Sequence, residues 1–195
     1  VSNKEVFFGL EMKKEILADT TINIVFTRLN SIGKETDGTV SVTLDGSTLP
    51  QAKSNKAYAL PADLPSGKHS LMAVCGNDTV KHDFVVFRKA DTKPMTYTHD
   101  WWYQSADQFS ENDGTAWIQV ATSDNDVYAV YSLFSGYKVL ESGSLRMNNS
   151  VMTRTFKYKE EYGDGITYTI AWVKNGELYT HTGSIKRPLP SKKLN

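Results

Sequence analysis

The sequence holds a single cysteine, Cys75, so no internal disulfide can staple the fold. Cys75 stands in a strand-like run, which predicts a buried small hydrophobe rather than a reactive thiol. No apolar run approaches the ~20 residues that a membrane-spanning helix requires, which argues against direct membrane insertion. An excess of one charge is also missing. The 22 Lys and Arg are matched by 22 Asp and Glu, which leaves no electrostatic footprint for nucleic acid or an anionic membrane. The start, Val1-Ser-Asn-Lys-Glu5, has neither Met nor the charged-then-apolar pattern of a signal peptide. It predicts a processed or excised chain whose localisation signal lies elsewhere.

Chemical motifs are equally scarce. There is no Gly-x-Ser-x-Gly elbow and no phosphate-cradling Gly-x-x-x-x-Gly-Lys-Ser/Thr loop. None of His69, His82, His99 and His181 stands at metal-ligand spacing, and His82 reads as a strand-face residue. The residues therefore predict no catalytic, cofactor-binding or metal-ligating site and no cofactor, and the chain reads as a non-enzyme.

Aromatic residues and alternating strands are what the sequence does have. Ten Tyr and four Trp suit sheets better than helical bundles. Alternation is clear over Thr21–Thr27 and Thr39–Leu44, and strand-like runs cover Lys56–Leu60, Lys68–Cys75 and Thr79–Phe87. Residues 5–17 read as an extended opening strand. Asp45-Gly46 and Gly76-Asn77-Asp78 are turns. Arg88–Pro94 is charged and interrupts the rhythm, which places a domain boundary there. The rhythm then resumes with Thr115–Thr122, Val127–Phe134, a short strand Tyr137–Glu141 ended by Ser142-Gly143, and Val151–Tyr158. In the last hairpin, Ile166, Tyr168, Ile170 and Trp172 share one face ahead of Asn175-Gly176. The expectation is an all-β chain of two consecutive immunoglobulin/fibronectin-like β-sandwiches. They cover residues 1–90 and 95–195, the second ending in an inter-domain linker.

Three clusters could carry function. Asp124-Asn125-Asp126 superficially resembles a calcium loop, but Val127 starts a strand at once, so it reads as a turn. Glu160, Glu161 and Asp164 read as a solvated turn rather than an acid–base pair. Trp101, Trp102 and Tyr103 are candidate contacts to a partner or to a neighbouring domain. They also support an alternative function, a carbohydrate-binding or adhesin-like surface module with an aromatic platform.

Tyr158-Lys-Glu-Glu-Tyr-Gly-Asp-Gly-Ile166, Ala171-Trp-Val-Lys-Asn175 and Ile185-Lys-Arg-Pro-Leu-Pro-Ser-Lys-Lys-Leu194 give the chain a resemblance. In order and content they resemble the large α2-macroglobulin-like proteins of Bacteroides-type bacteria, mainly over Trp117–Leu194. The resemblance implies macroglobulin-type domains of a secreted or surface protein that traps proteases. It places the chain in the cell envelope, the periplasm or at the cell surface. The implied partners are neighbouring domains of the parent chain and, through the parent, proteases. The family's Cys-Gly-Glu-Gln thioester is absent, because Cys75-Gly76 is followed by Asn77. No working residue of the family carries over to any position here.

Overall fold

The computed structural model describes residues 5–19 and 21–190. These are built from strands and one 3-10 turn, and the chain divides into two compact units between Lys89 and Ala90.

In the first unit, β1 (Val6–Leu10), β3 (Asn23–Asn30) and β7 (Ala57–Ala59) make a small antiparallel sheet in the order β1-β3-β7. The larger sheet contains β2 (Glu15–Leu17), β4 (Thr39–Leu44), β5 (Ser47–Thr48), β8 (Gly67–Cys75) and β9 (Asp78–Phe87). Its order is β2-β9-β8-β4-β5, and β6 (Ala52–Lys53) pairs with the start of β4. Val40, Val42 and Leu44 of β4 point inward and meet Ile24 and Phe26 of β3, so one core is shared between the sheets. Cys75 is buried in it.

The opening stretch is not one strand, as the sequence suggested, but two. After pairing with β3, the chain crosses to the larger sheet and runs parallel to β9, Ile16 opposite Val86. Phe8, Leu10, Met12 and Ile16 all pack on the core, so one phase of alternation serves both sheets.

The second unit has β10 (Trp101–Gln104), β11 (Thr115–Thr122) and β14 (Ser150–Lys157) in one sheet, order β10-β11-β14. The other sheet contains β12 (Val127–Ser135), β13 (Lys138–Met147), β15 (Gly165–Lys174) and β16 (Glu177–Lys186), order β13-β12-β15-β16. The fourth strand thus joins the sheet of the third, whereas in the constant-type immunoglobulin arrangement it joins the first and second. This is the fibronectin-like distribution of seven strands. Ile166, Tyr168, Ile170 and Trp172 are all buried, and the β15–β16 turn has positive φ at Asn175 (51°) and Gly176 (79°), as a type I′ turn requires.

Ser142-Gly143 does not end a short strand. β13 continues to Met147, and Gly143 lies opposite Tyr131. A Cβ at Gly143 would stand 2.9 Å from the Tyr131 hydroxyl oxygen, so this glycine makes room for a ring and does not mark a turn.

Candidate functional site

β10 carries the aromatic candidates. Its residues pair as Trp101 with Ala121, Trp102 with Val120 and Tyr103 with Gln119. Successive side chains on a strand alternate, so Trp102 packs on the core while Trp101 and Tyr103 lie on the opposite face. The Trp102 ring stacks on His181, with centroids 5.4 Å apart and planes 6° apart, and reaches Tyr168 at 6.5 Å. The Trp101 indole N–H donates to Gln119 Oε1 at 3.0 Å, and Tyr103 tilts against Trp117 at 5.2 Å. Trp102 therefore shares no surface with Trp101 and Tyr103, which lie on one face with Trp117.

A glycine makes the Trp102 position available. A Cβ at Gly183 of β16 would lie 2.1 Å from Gln104 Oε1 and 2.7 Å from Trp102 Cζ2. The Gln104 amide donates to the Ser184 carbonyl oxygen at 2.8 Å. This clearance lets β10 close against β16.

Around Trp102 the rings continue. Tyr97, His99, Tyr179, Trp172 and His181 follow one another with centroids 5.3 to 6.2 Å apart. Two histidine–aspartate pairs sit in this group. His99 Nδ1 is 2.8 Å from Asp124 Oδ2, and His181 Nε2 is 3.1 Å from Asp100 Oδ2. Burial pushes the Tyr179 phenol up, and the carboxylates of Glu177, Asp124 and Asp100 add to that. Asp124 is thus a partner for His99 as well as a turn residue. Among the described residues, no group of three or more His, Cys, Asp or Glu is placed to hold a metal ion. The buried Trp172 indole N–H has no acceptor among the described residues.

Another polar cluster was missed by the sequence reading. The Arg154 guanidinium grips Glu141 with two hydrogen bonds, at 2.5 and 2.9 Å, and lies over the Phe156 ring. The hydrogen bond from Arg154 holds the Glu141 carboxyl below its usual range against the opposing effect of burial. Nearby, burial pushes the Tyr168 phenol up to about 12. Arg154 and Glu141 lie on β14 and β13, so the pair ties the two sheets together where β13 has left the first.

The acidic turn forms a corner. Glu160–Tyr162 is a 3-10 turn with Tyr162 buried. The Tyr158 hydroxyl donates to the Gly163 carbonyl oxygen at 2.6 Å, and Ser135 Oγ donates to the Tyr162 carbonyl oxygen at 2.9 Å. The Arg187 N–H donates to the Asp164 carbonyl oxygen at 3.0 Å. Glu161 meets Lys159 at 3.3 Å and Asp164 meets Arg187 at 3.6 Å, so these carboxylates do not converge on one another.

The first unit has its own polar cluster. Buried His69 places Nδ1 2.6 Å from Asp45 Oδ2 and Nε2 2.7 Å from the Pro65 carbonyl oxygen. Burial pushes the Asp45 carboxyl up, but hydrogen bonds from His69 and the Ser70 N–H outweigh it and hold the carboxyl below its ordinary value. This arrangement fixes the Asp45-Gly46 hairpin to β8.

No protein-family model matches this sequence, and no curated protein matches it. Solved structures with similar backbones include E. coli α2-macroglobulin in its native conformation, at 10% identity and a TM-score of 0.37, over 94% of this chain and 14% of that one. A chimeric titin Z1Z2 tandem carrying a fibronectin peptide aligns at 13% identity and a TM-score of 0.30, over 93% of this chain and all of its own. An engineered protein aligns at 12% identity and a TM-score of 0.34, over 54% of this chain and 22% of that one. The chain thus spans less than a quarter of the α2-macroglobulin and of the engineered protein. The immunoglobulin/fibronectin-like class rests on the strand order and shared cores described above.

Proposed function

We propose that this chain is a non-catalytic pair of β-sandwich modules, a scaffold within a larger secreted or surface protein of α2-macroglobulin type. The observation that carries this reading is the use made of the residues behind the sequence resemblance. Tyr158, Tyr162, Gly163 and Asp164 build the corner ahead of β15, and Arg187 is bonded to it where the chain leaves β16. Trp172 lies in the core, and Asn175 forms the hairpin turn. Residues spent on a corner, a core and a turn suit a spacer between neighbouring domains. In this reading, proteases are met by the parent protein, in the cell envelope or outside it, and not by these two units.

The test is the surrounding reading frame and its product. Further β-sandwich domains in series are expected, with a Cys-Gly-Glu-Gln segment downstream. The full-length product should sequester added proteases, and the 195-residue chain alone should leave them active. A frame closing just after Asn195, or inhibition by the chain alone, would overturn the proposal.

A further inference from the structure

The two larger sheets differ in the faces they turn away from their cores. In the first unit the outward positions include Glu15, Lys68, Lys81 and Asp83, interspersed in both signs. In the second unit the outward positions of β13-β12-β15-β16, apart from Arg146 and Lys186, are apolar or hydroxyl-bearing. Tyr128, Val130, Val173 and Leu178 are 57%, 52%, 62% and 65% exposed. Val139 and Phe134 extend this group along β13 and β12. Around them lie serines and threonines, such as Ser132 beside Thr169 and Thr169 opposite Thr182. Charge on this face, among the described residues, is confined to opposite corners, with Arg146 3.5 Å from Asp126 at one and Lys186 at the other. Sheet faces left in water ordinarily carry mixed charge, as the first unit's does, and a contiguous apolar patch marks a contact surface.

We infer that this face is a self-association surface, covered by the same face of a second copy of the chain. Two features select a second copy over another occupant. One is charge: the central rows carry none, so the face neither attracts a charged partner nor repels itself. A two-fold interface needs that self-complementarity. The other is area. Four strands about 4.8 Å apart, exposing alternate residues over about eight positions of about 3.4 Å, give a footprint of roughly 19 by 27 Å. The relief of the side chains brings the accessible area towards the roughly 800 Å² per partner of a standard stable interface. The two copies pack sheet on sheet, about 10 Å apart, as the layers of a sandwich do. The inference does not depend on the identity of the parent protein.

Sedimentation equilibrium of the chain tests this. A dimer is expected, with an affinity unchanged between about 0.05 and 0.5 M salt, because no charged pair supports it. The double substitution Val130→Glu, Val173→Glu buries four like charges per dimer and should weaken association about 100-fold or more. Both positions are more than half exposed, so circular dichroism and thermal melting of the variant should match the parent chain. Met72→Glu, on the outward face of the first unit's larger sheet, should leave the dimer unchanged. A chain that stays monomeric at every concentration overturns the inference, even if the face binds a different protein. So does a dimer that survives the double substitution or is lost equally with Met72→Glu.

Discussion

β8 and β15 occupy the same place in their two sandwiches, β8 flanked by β9 and β4, and β15 by β16 and β12. Their inward residues differ. β8 turns His69, Leu71, Ala73 and Cys75 to its core, and β15 turns Ile166, Tyr168, Ile170 and Trp172. The first sandwich thus has a slim core, a three-residue β7 and an opening strand split between sheets. It compensates with side chains that act as backbone. Asn55 accepts the Arg28 N–H at 3.0 Å and donates to the carbonyl oxygens of Arg28 and Thr36, both at 3.1 Å, alongside the strand that β7 leaves uncovered. The second sandwich, apart from β10, has strands of 8 to 10 residues and a broad aromatic interior, with glycines at contact points that admit the rings and backbones. The first unit therefore leans more on side chains that bond to backbone, and the second, although it too has polar ties, leans more on close packing.

The largest effect expected from this contrast is at Gly165. Its φ is +144°, and a Cβ there would meet the Ile185 carbonyl oxygen at 2.3 Å, a backbone atom that cannot swing aside. Gly165→Ala should cost about 3 kcal/mol or more of the second unit's stability in urea titration. Gly9→Ala, in β1 of the first unit, has open space around the new methyl and should change stability by less than about 0.5 kcal/mol. Equal effects at the two glycines would break the comparison. Next comes Asn55→Ala, which removes three hydrogen bonds and puts alanine at φ +61°, for about 2 to 3 kcal/mol in the first unit. Asn55→Gly keeps the backbone relaxed but not the bonds. It should recover about 1 kcal/mol of that loss, which separates the tie from the strain.

Acid should act on both units. The Asp45 and Glu141 carboxyls are each held below their unfolded values, so each favours the folded state above its unfolded pKa. That contribution fades as pH falls through the folded pKa, below about pH 4. Thermal melting at pH 7 and pH 3 should show the loss. Arg154→Met should flatten the acid dependence of the second unit and leave that of the first. Glu141 is partly exposed, so the pair itself should contribute no more than about 1 kcal/mol in a double-mutant cycle.

Much of the fold was legible because period-2 alternation and Asn-Gly or Asp-Gly turns are local signals. Thr39–Leu44, from its alternation, and Thr115–Thr122, from its strand-like run between turns, have the bounds expected of them. What was illegible depends on partners distant in sequence. The meaning of Gly143 depends on Tyr131, and that of Gly183 on Trp102, so a lone glycine read as a stop was in fact a clearance. The strand switch at residues 11–14 was hidden because the inward phase never changes. β5 and β6 are two residues each, too short to show any period. The His181–Asp100 pair spans 81 residues, and the Glu141–Arg154 pair joins consecutive strands that lie in different sheets, so no spacing announces either.

A nearly balanced effect is expected from the interior of the second sandwich itself. Trp172 is buried, and its indole N–H has no acceptor among the described residues. Burying an unpaired donor costs roughly 1 to 3 kcal/mol, while trimming a large ring forfeits packing of similar size. The two terms oppose each other in Trp172→Phe, so melting of that variant should fall within about 1 kcal/mol of the parent. Trp172→Ala has no such offset and should cost about 3 to 5 kcal/mol. If the phenylalanine variant lost as much as the alanine one, the N–H would be making a bond worth keeping. The second unit would then depend on polar ties as the first does, and the division between a tied and a packed sandwich would fail at its centre.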